Sequence, residues 1–401
     1  MFNPLINALP RIESKSKFYE AMSKAKNTEL SHHCYISSQI KEHFYVPTED
    51  AWKVYKAIKT MIMEGYRYKN INSSEYFKDV NKALFNEEDK ASGHITNKVE
   101  LGGCLFGESG VGKTKLVRES LRLFPQKVNH QSSSSVTNTP LIQIPWIMIT
   151  CEATRKATLR LIIEEIDRVA GTCNLAKLSE RESIHKYCSV IRLLCIQYSI
   201  GIIVLDESQW FDQKSQSNRD SINSSFLQQI YNRFNVPILL IGTPQLIQAL
   251  MQSQATLRRF KEAIYHELHY FESDSEEWKV AIQTLFTNFI FNSAKKPLTK
   301  KQFDLIDDFA FGCMNELIHL ACKVSELVEN GQANKPTEAI LKASIKALKN
   351  SNTDFKVGLK GVSRAKTNSN HTYEALKNIK RSKRTKDKEE PYKPLDLDQF
   401  L

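Results

Sequence analysis

Eight consecutive residues have the types and spacing to hold a phosphate. Gly107-Glu108-Ser109-Gly110-Val111-Gly112-Lys113-Thr114 fits G-x-x-x-x-G-K-[ST]. Glycines let a backbone wrap an anion and aim its N–H groups inward. Lys113 is the cation for the outer phosphates of a nucleoside triphosphate, and Thr114 offers a hydroxyl to a divalent cation. A second stretch, Ile202-Ile203-Val204-Leu205-Asp206-Glu207, supplies the partner this chemistry needs. Asp206 is expected to hold Mg²⁺ through water, and Glu207 to polarise the attacking water. A helix cap is the structural alternative for these two carboxylates. The implied cofactors are ATP and Mg²⁺.

Other residues extend the constellation. Thr243 ends the apolar run Pro237–Gly242, where a polar side chain can sense a phosphate and position water; it can equally cap a helix that begins at Pro244. Arg258 and Arg259 follow in TLRRF, and either one could reach the nucleotide of a neighbouring subunit. Thr154, Arg155 and Lys156 open a predicted helix with a hydroxyl and two cations, and Lys177 and Arg181 precede the next helix. A hydroxyl and four cations thus stand at two helix starts, where the plain alternative is an ordinary solvated face.

The elements that must carry these residues are legible in the texture of the chain. From Leu101, short apolar runs alternate with helical patterns, the signature of an α/β domain with a parallel sheet. Strands are predicted at 102–106, 145–151, 201–205 and 237–242, and helices at 113–124, 157–169, 179–198 and 224–234. The phosphate loop thus leaves a strand and opens a helix, and the two carboxylates emerge at a strand's C-terminal end. Residues 129–139 form a Ser-rich loop. Residues 51–67 are an amphipathic helix with Thr48 or Asp50 as its cap. Beyond about residue 272 the pattern is helical, with helices at 275–292, 299–310, 313–329 and 336–350. Asp274 or Ser275 suits the cap of the first, Thr299 the second, and Pro336 the start of the last.

The fold class read from this pattern is α/β, a P-loop NTPase with a parallel sheet followed by a small helical lid and a disordered basic tail. The predicted organisation is an N-terminal arm and helical segment (1–90), a nucleotide-binding domain (91–272), a helical lid (273–350) and a flexible tail (351–401). The tail holds a basic block, Lys377 to Lys388, and ends in Leu395-Asp396-Leu397-Asp398-Gln399-Phe400-Leu401, a peptide suited to folding onto a partner.

Bulk properties agree with this reading. The chain has 401 residues and a formal net charge of +11, compatible with an anionic partner. Its 8 cysteines include no C-x-x-C pair, which argues against a zinc ribbon and for reduced, buried thiols. No leader is evident at the N-terminus, and no window reaches the roughly 18 apolar residues of a membrane span. The expected location is the bacterial cytoplasm, with no membrane association.

The order of motifs resembles AAA+ ATPases. GESGVGKTKLVRE, IIVLDESQWF, LLIGTPQLIQAL and LRRF together resemble the TnsC/TniB family of transposition regulators, related to MuB, over roughly residues 90–330. The resemblance implies an ATPase that assembles on double-stranded DNA as a homo-oligomer, a hexameric ring or helical filament. It implies further partners: a target-selector protein, and transposase subunits docked through the C-terminal tail. In its terms Lys113 and Thr114 belong to Walker A and Asp206 and Glu207 to Walker B. Thr243 is sensor 1, and Arg258 or Arg259 the arginine finger, while Thr154, Arg155, Lys156, Lys177 and Arg181 become candidates for sequence-independent, salt-sensitive contacts with DNA phosphates. The lid departs from the AAA+ pattern: Phe311-Gly312-Cys313-Met314-Asn315-Glu316 has no sensor-2 arginine. Two further functions fit the nucleotide motifs: a signalling or scaffold NTPase assembling on protein, and a replication or repair loader.

Overall fold

The computed structural model describes residues 3–26, 35–71, 73, 74, 76, 78, 99, 101–130, 141–209, 224–291, 297–332 and 335–358. The chain divides into two compact units: residues 1–25 with 47–269, and residues 26–46 with 270–401. The polar N-terminal segment is therefore shared between the units.

Among its described residues the first unit holds seven strands: β1 (Gly102–Gly107), β2 (Val128–His130), β3 (Leu141–Gln143), β4 (Trp146–Thr150), β5 (Ile202–Asp206), β6 (Ile238–Gly242) and β7 (Ile264–Leu268). Five of them form one parallel sheet in the order β4-β5-β6-β1-β7, and β2 and β3 pair antiparallel at the two ends of the Ser-rich stretch. β5 and β6 are buried along their whole length, as near-continuous apolar runs in a parallel sheet must be. The sequence pattern anticipated four of the five sheet strands. β7 (IYHEL) escaped it because an edge strand alternates: Tyr265 and Glu267 are exposed, and only Leu268 is fully buried.

The helices of this unit with described bounds are α1 (Pro4–Asn7), α2 (Lys15–Lys26), α4 (Glu49–Arg67), α5 (Lys113–Arg122), α6 (Arg155–Ala170), α7 (Ile184–Gln197), α8 (Ser224–Phe234), α9 (Pro244–Met251) and α10 (Gln254–Arg259), while α3 (Ile36–His43) belongs to the second unit. Thr48 caps α4, its hydroxyl accepting the Ala51 N–H at 3.2 Å. α4 lies on the sheet as part of this unit. A Cβ at Gly65 would sit 2.3 Å from the carbonyl oxygen of Gly201, so helix and strand approach closer than any side chain allows. Just past α4, the buried ammonium of Lys69 donates to the Ile200 carbonyl at 2.8 Å, and burial pulls its pKa down to about 8.

The second unit is helical. It contains α3 (Ile36–His43), α11 (Glu276–Gln283) running into a π-helical turn at Thr284–Ile290, α12 (Lys300–Ala310), α13 (Met314–Glu329) and α14 (Glu338–Gly358). Ser275 caps α11 by accepting the Trp278 N–H, and Thr299 forms a capping box with Gln302 at α12. Its core gathers Ile40 and Phe44 of the N-terminal segment with Trp278, Phe286, Phe303 and Leu317. The indole of Trp278 donates to Asp307 at 2.8 Å, and both residues are buried. α14 begins two residues after Pro336 and runs to Gly358, into the stretch expected to be unstructured, because no Gly or Pro interrupts it before that glycine. The basic block at 377–388 and the peptide at 395–401 lie outside the described residues.

No helix among the described residues is long and apolar enough to cross a membrane. Cys104, Cys151, Cys188, Cys195, Cys313 and Cys322 are buried free thiols, and Cys173 is an exposed one.

Candidate nucleotide site

The sheet's C-terminal edge collects most of the residues singled out above. Phe106 of β1 is in register with Gly242 of β6, and Gly107 with Leu268 of β7. Gly107 admits no side chain, because a Cβ there would lie 2.3 Å from the Leu268 carbonyl oxygen. The loop then turns through left-handed backbone at Gly110 (φ 84°) and Gly112 (φ 97°) into α5. Gly112 is the N-cap and offers no side chain to the first N–H groups of α5. Those donors and the helix dipole suit an anion.

Lys113 is the first residue of α5, and its ammonium folds back over the loop. It donates to the carbonyls of Gly107 at 2.8 Å and Glu108 at 2.9 Å. Burial pulls its pKa down, while Glu207, Asp206 and Glu108 push it back up. The next residue, Thr114, donates its hydroxyl to Oδ2 of Asp206 at 2.8 Å. Asp206 ends β5 and is only 4% exposed. Burial raises its carboxyl pKa, opposed by the Thr114 hydroxyl and by the Glu207 N–H, which donates to Oδ1 at 2.9 Å. Two hard oxygen ligands thus stand together beside a phosphate loop, a donor set suited to Mg²⁺ completed by phosphate and water.

Glu207 is exposed and sits on left-handed backbone, φ 55°. For a residue with a Cβ this conformation is sparsely populated and clusters at functional sites. Its carboxylate accepts a hydrogen bond from the Gln209 amide. The Gln209 carbonyl in turn accepts the backbone N–H of Thr243 at 3.2 Å. Thr243 occupies the N-cap position of α9, with Pro244 first in the helix, yet its hydroxyl makes no capping bond. That hydroxyl is buried without a hydrogen-bond partner among the described residues. A buried polar atom left unpaired at a strand's C-terminal end fits a site that a polar ligand completes. Gln209 lies in the stretch IIVLDESQWF, where its sequence position alone assigns it no task.

The two arginines diverge. Arg259 donates to Oδ1 of Asn232 at 3.2 Å and lies 5.3 Å from the Tyr231 ring centroid, on a ring packed edge-on against Phe260. Arg258 is exposed and makes no ion pair or side-chain hydrogen bond among the described residues. Neither arginine bonds to Lys113, Thr114, Asp206 or Glu207.

The basic candidates group elsewhere on the unit. Thr154 caps α6, its hydroxyl accepting the Ala157 N–H at 3.2 Å. Arg155 and Lys156 line a cleft of about 490 Å³ with Glu182, Ser183, Ile184, His185 and Gln229. The ammonium of Lys156 donates to the Glu180 carbonyl and lies 5.7 Å from the Tyr187 ring centroid. Lys177 ends the 3₁₀ turn Leu175–Lys177, and it and Arg181 are exposed.

Residues 98–250 match the AAA domain family. The parallel sheet, the phosphate loop between β1 and α5 and the helical remainder make this the α/β AAA+ P-loop fold. Among solved structures, the chain is similar to the ORC1 protein of Aeropyrum pernix, solved in complex with DNA, at 14% identity. That match covers 82% of this chain and 80% of that one, with a TM-score of 0.43. It is also similar to the ORC2 protein of Aeropyrum pernix (13% identity, 77% and 71% covered, TM-score 0.41). A Walker-type ATPase of Pyrococcus abyssi is a third (15% identity, 72% and 75% covered, TM-score 0.41). The comparison with curated proteins gives no match.

Proposed function

We propose that this chain is an ATPase whose nucleotide state switches its assembly on double-stranded DNA, and that it regulates DNA transposition. The observation that carries the nucleotide chemistry is the Thr114–Asp206 pair at 2.8 Å, beside an ammonium folded over the phosphate loop. In this reading the N–H groups from Gly107 to Thr114 cradle the phosphates of ATP, and Lys113 leaves the loop carbonyls to neutralise them. Thr114 directly and Asp206 through water would hold a magnesium ion, which would supply positive charge against the phosphates. Glu207 takes a proton from the attacking water, and the Thr243 hydroxyl donates to the terminal phosphate or positions that water.

The exposure of Arg258 and the tethering of Arg259 favour Arg258 as the group offered to a neighbouring copy's nucleotide. A site completed in this way exists only in an assembly, so that nucleotide occupancy and oligomeric state become linked. The cations near α6 and α7 give such an assembly sequence-independent contacts with the DNA backbone. The transposition reading rests on the four sequence stretches that resemble TnsC and TniB proteins, and it makes a transposase and a target selector the partners.

The test is ATP turnover by the full chain with and without random-sequence duplex, for wild type and for Glu207→Gln. The reading expects DNA-stimulated hydrolysis in the wild type, and a variant that binds ATP without turning it over. Turnover that ignores DNA, or a Glu207→Gln protein as fast as wild type, contradicts it.

A further inference from the structure

Between Glu207 and Thr243 stands a side chain whose two polar atoms are both used. The Gln209 nitrogen donates to Oε2 of Glu207, and the Gln209 oxygen accepts the Thr243 N–H at 3.2 Å. The chemistry admits only this orientation of the amide, since a carboxylate accepts and a backbone N–H donates. Reversing the amide would set oxygen against oxygen and NH₂ against N–H.

The surroundings make room for that amide. A Cβ at Gly242 would lie 3.0 Å from the Gln209 oxygen and 3.0 Å from Cδ2 of Leu246. Gly242 does not have left-handed backbone, so its missing side chain serves space. It lets Gln209 lie on the end of β6 while α9 packs beneath. Glu207 for its part is exposed, and the Gln209 amide is the one hydrogen-bond donor to its carboxylate among the described residues. Without that bond an exposed glutamate samples several rotamers.

We infer that Gln209 is a positioning residue. Its amide fixes the Glu207 carboxylate by one oxygen, leaves the other free to accept a proton, and ties both to the strand end that carries Thr243. The inference rests on the reading of Glu207 as the base. It has a mechanical consequence. Any movement of Thr243 on meeting a phosphate passes to Glu207 through one side chain, so recognition of the terminal phosphate and orientation of the base are a single event.

The test separates positioning from folding and from the underlying reading. Turnover, affinity for a fluorescent ATP analogue and the thermal midpoint are measured on the full chain with duplex DNA. The proteins are wild type, Gln209→Ala, Gln209→Glu, Gly242→Ala, Glu207→Gln and the double variant Glu207→Gln with Gln209→Ala. Gln209→Glu keeps the shape and the acceptor for Thr243 but cannot donate to Glu207. The expected result is a fall in kcat of about 10- to 100-fold in Gln209→Ala and Gln209→Glu. Analogue affinity and thermal midpoint stay at wild-type values in Gln209→Glu, Gly242→Ala slows turnover in the same way, and Gln209→Ala adds nothing in the Glu207→Gln background. Wild-type kcat in Gln209→Glu, with Glu207→Gln inactive, overturns the positioning role and leaves the base intact. Wild-type turnover in Glu207→Gln overturns the base itself, and the inference with it.

Discussion

The hydroxyl of Thr114 and the carboxylate of Asp206 meet at 2.8 Å, although 92 residues separate them in the chain. Two elements bring them together: α5, which starts at the phosphate loop, and β5, which ends in the first carboxylate. Replacing Thr114 with Ala removes one oxygen and leaves the buried Asp206 without that donor. ATP affinity measured with Mg²⁺ is expected to fall about 10-fold or more, with little change when the metal is chelated. Equal losses with and without the metal would show that Thr114 serves only the fold.

Lys113→Ala removes the cation of the phosphate loop. ATP affinity is expected to fall about 10- to 100-fold, the worth of a charge-assisted contact. An ATP concentration that saturates the wild type should raise its thermal midpoint, and raise that of the variant by clearly less. An equal rise in both proteins would place ATP elsewhere.

The two arginines separate by experiment. Arg259→Ala loses the bond to Asn232 and the stacking on Tyr231, and is expected to lower the thermal midpoint. Arg258→Ala is expected to leave the midpoint alone and to abolish DNA-stimulated turnover. Mixing Arg258→Ala with Lys113→Ala should restore part of that turnover, since each variant keeps the half-site the other lacks. A mixture as inactive as its components counts against a shared site.

The phosphate loop and the Asp206–Glu207 pair can be read as candidates from the sequence because each is local. A loop of fixed spacing after one apolar run and two acids after another need no knowledge of the tertiary fold. What the sequence could not show depends on distant partners. Arg258 and Arg259 look alike until Asn232 and Tyr231 hold one of them. Gln209 gains its meaning from Thr243, 34 residues away. β7 is half polar because it is an edge. Residues 36–43 belong to the helical unit through packing that no local period announces.

At the start of α4, the Asp50 carboxylate lies 2.9 Å from Nε2 of His266 and 3.1 Å from the Lys53 ammonium. The nearby His266 ring is the largest influence holding the Asp50 carboxyl below the usual carboxylate range, with Lys53 adding to it against the cost of burial. A carboxyl depressed in the folded state stabilises fully above its unfolded pKa, about 4, and the stabilisation is lost as pH falls through the folded value. Thermal midpoints followed downward from pH 6 should therefore drop less steeply below about pH 4 in Asp50→Asn than in wild type. Parallel curves would show that the contact does not stabilise the native state.

In the helical unit, Gly312 has φ 74°, and a Cβ there would lie 1.9 Å from the Phe271 carbonyl oxygen. Gly312→Ala meets both left-handed strain and a backbone collision. Its expected cost is about 3 kcal/mol or more, read from chemical denaturation of the full chain. A loss below 1 kcal/mol would mean that the turn reshapes freely.

The central claim is that ATP at Lys113 and Asp206 drives assembly on DNA. Electron microscopy of the full chain with random-sequence duplex tests it most directly, comparing a non-hydrolysable ATP analogue with ADP. The account predicts rings or filaments on the duplex with the analogue and bare DNA with ADP. Assembly that is the same with either nucleotide, or none with the analogue, would contradict it.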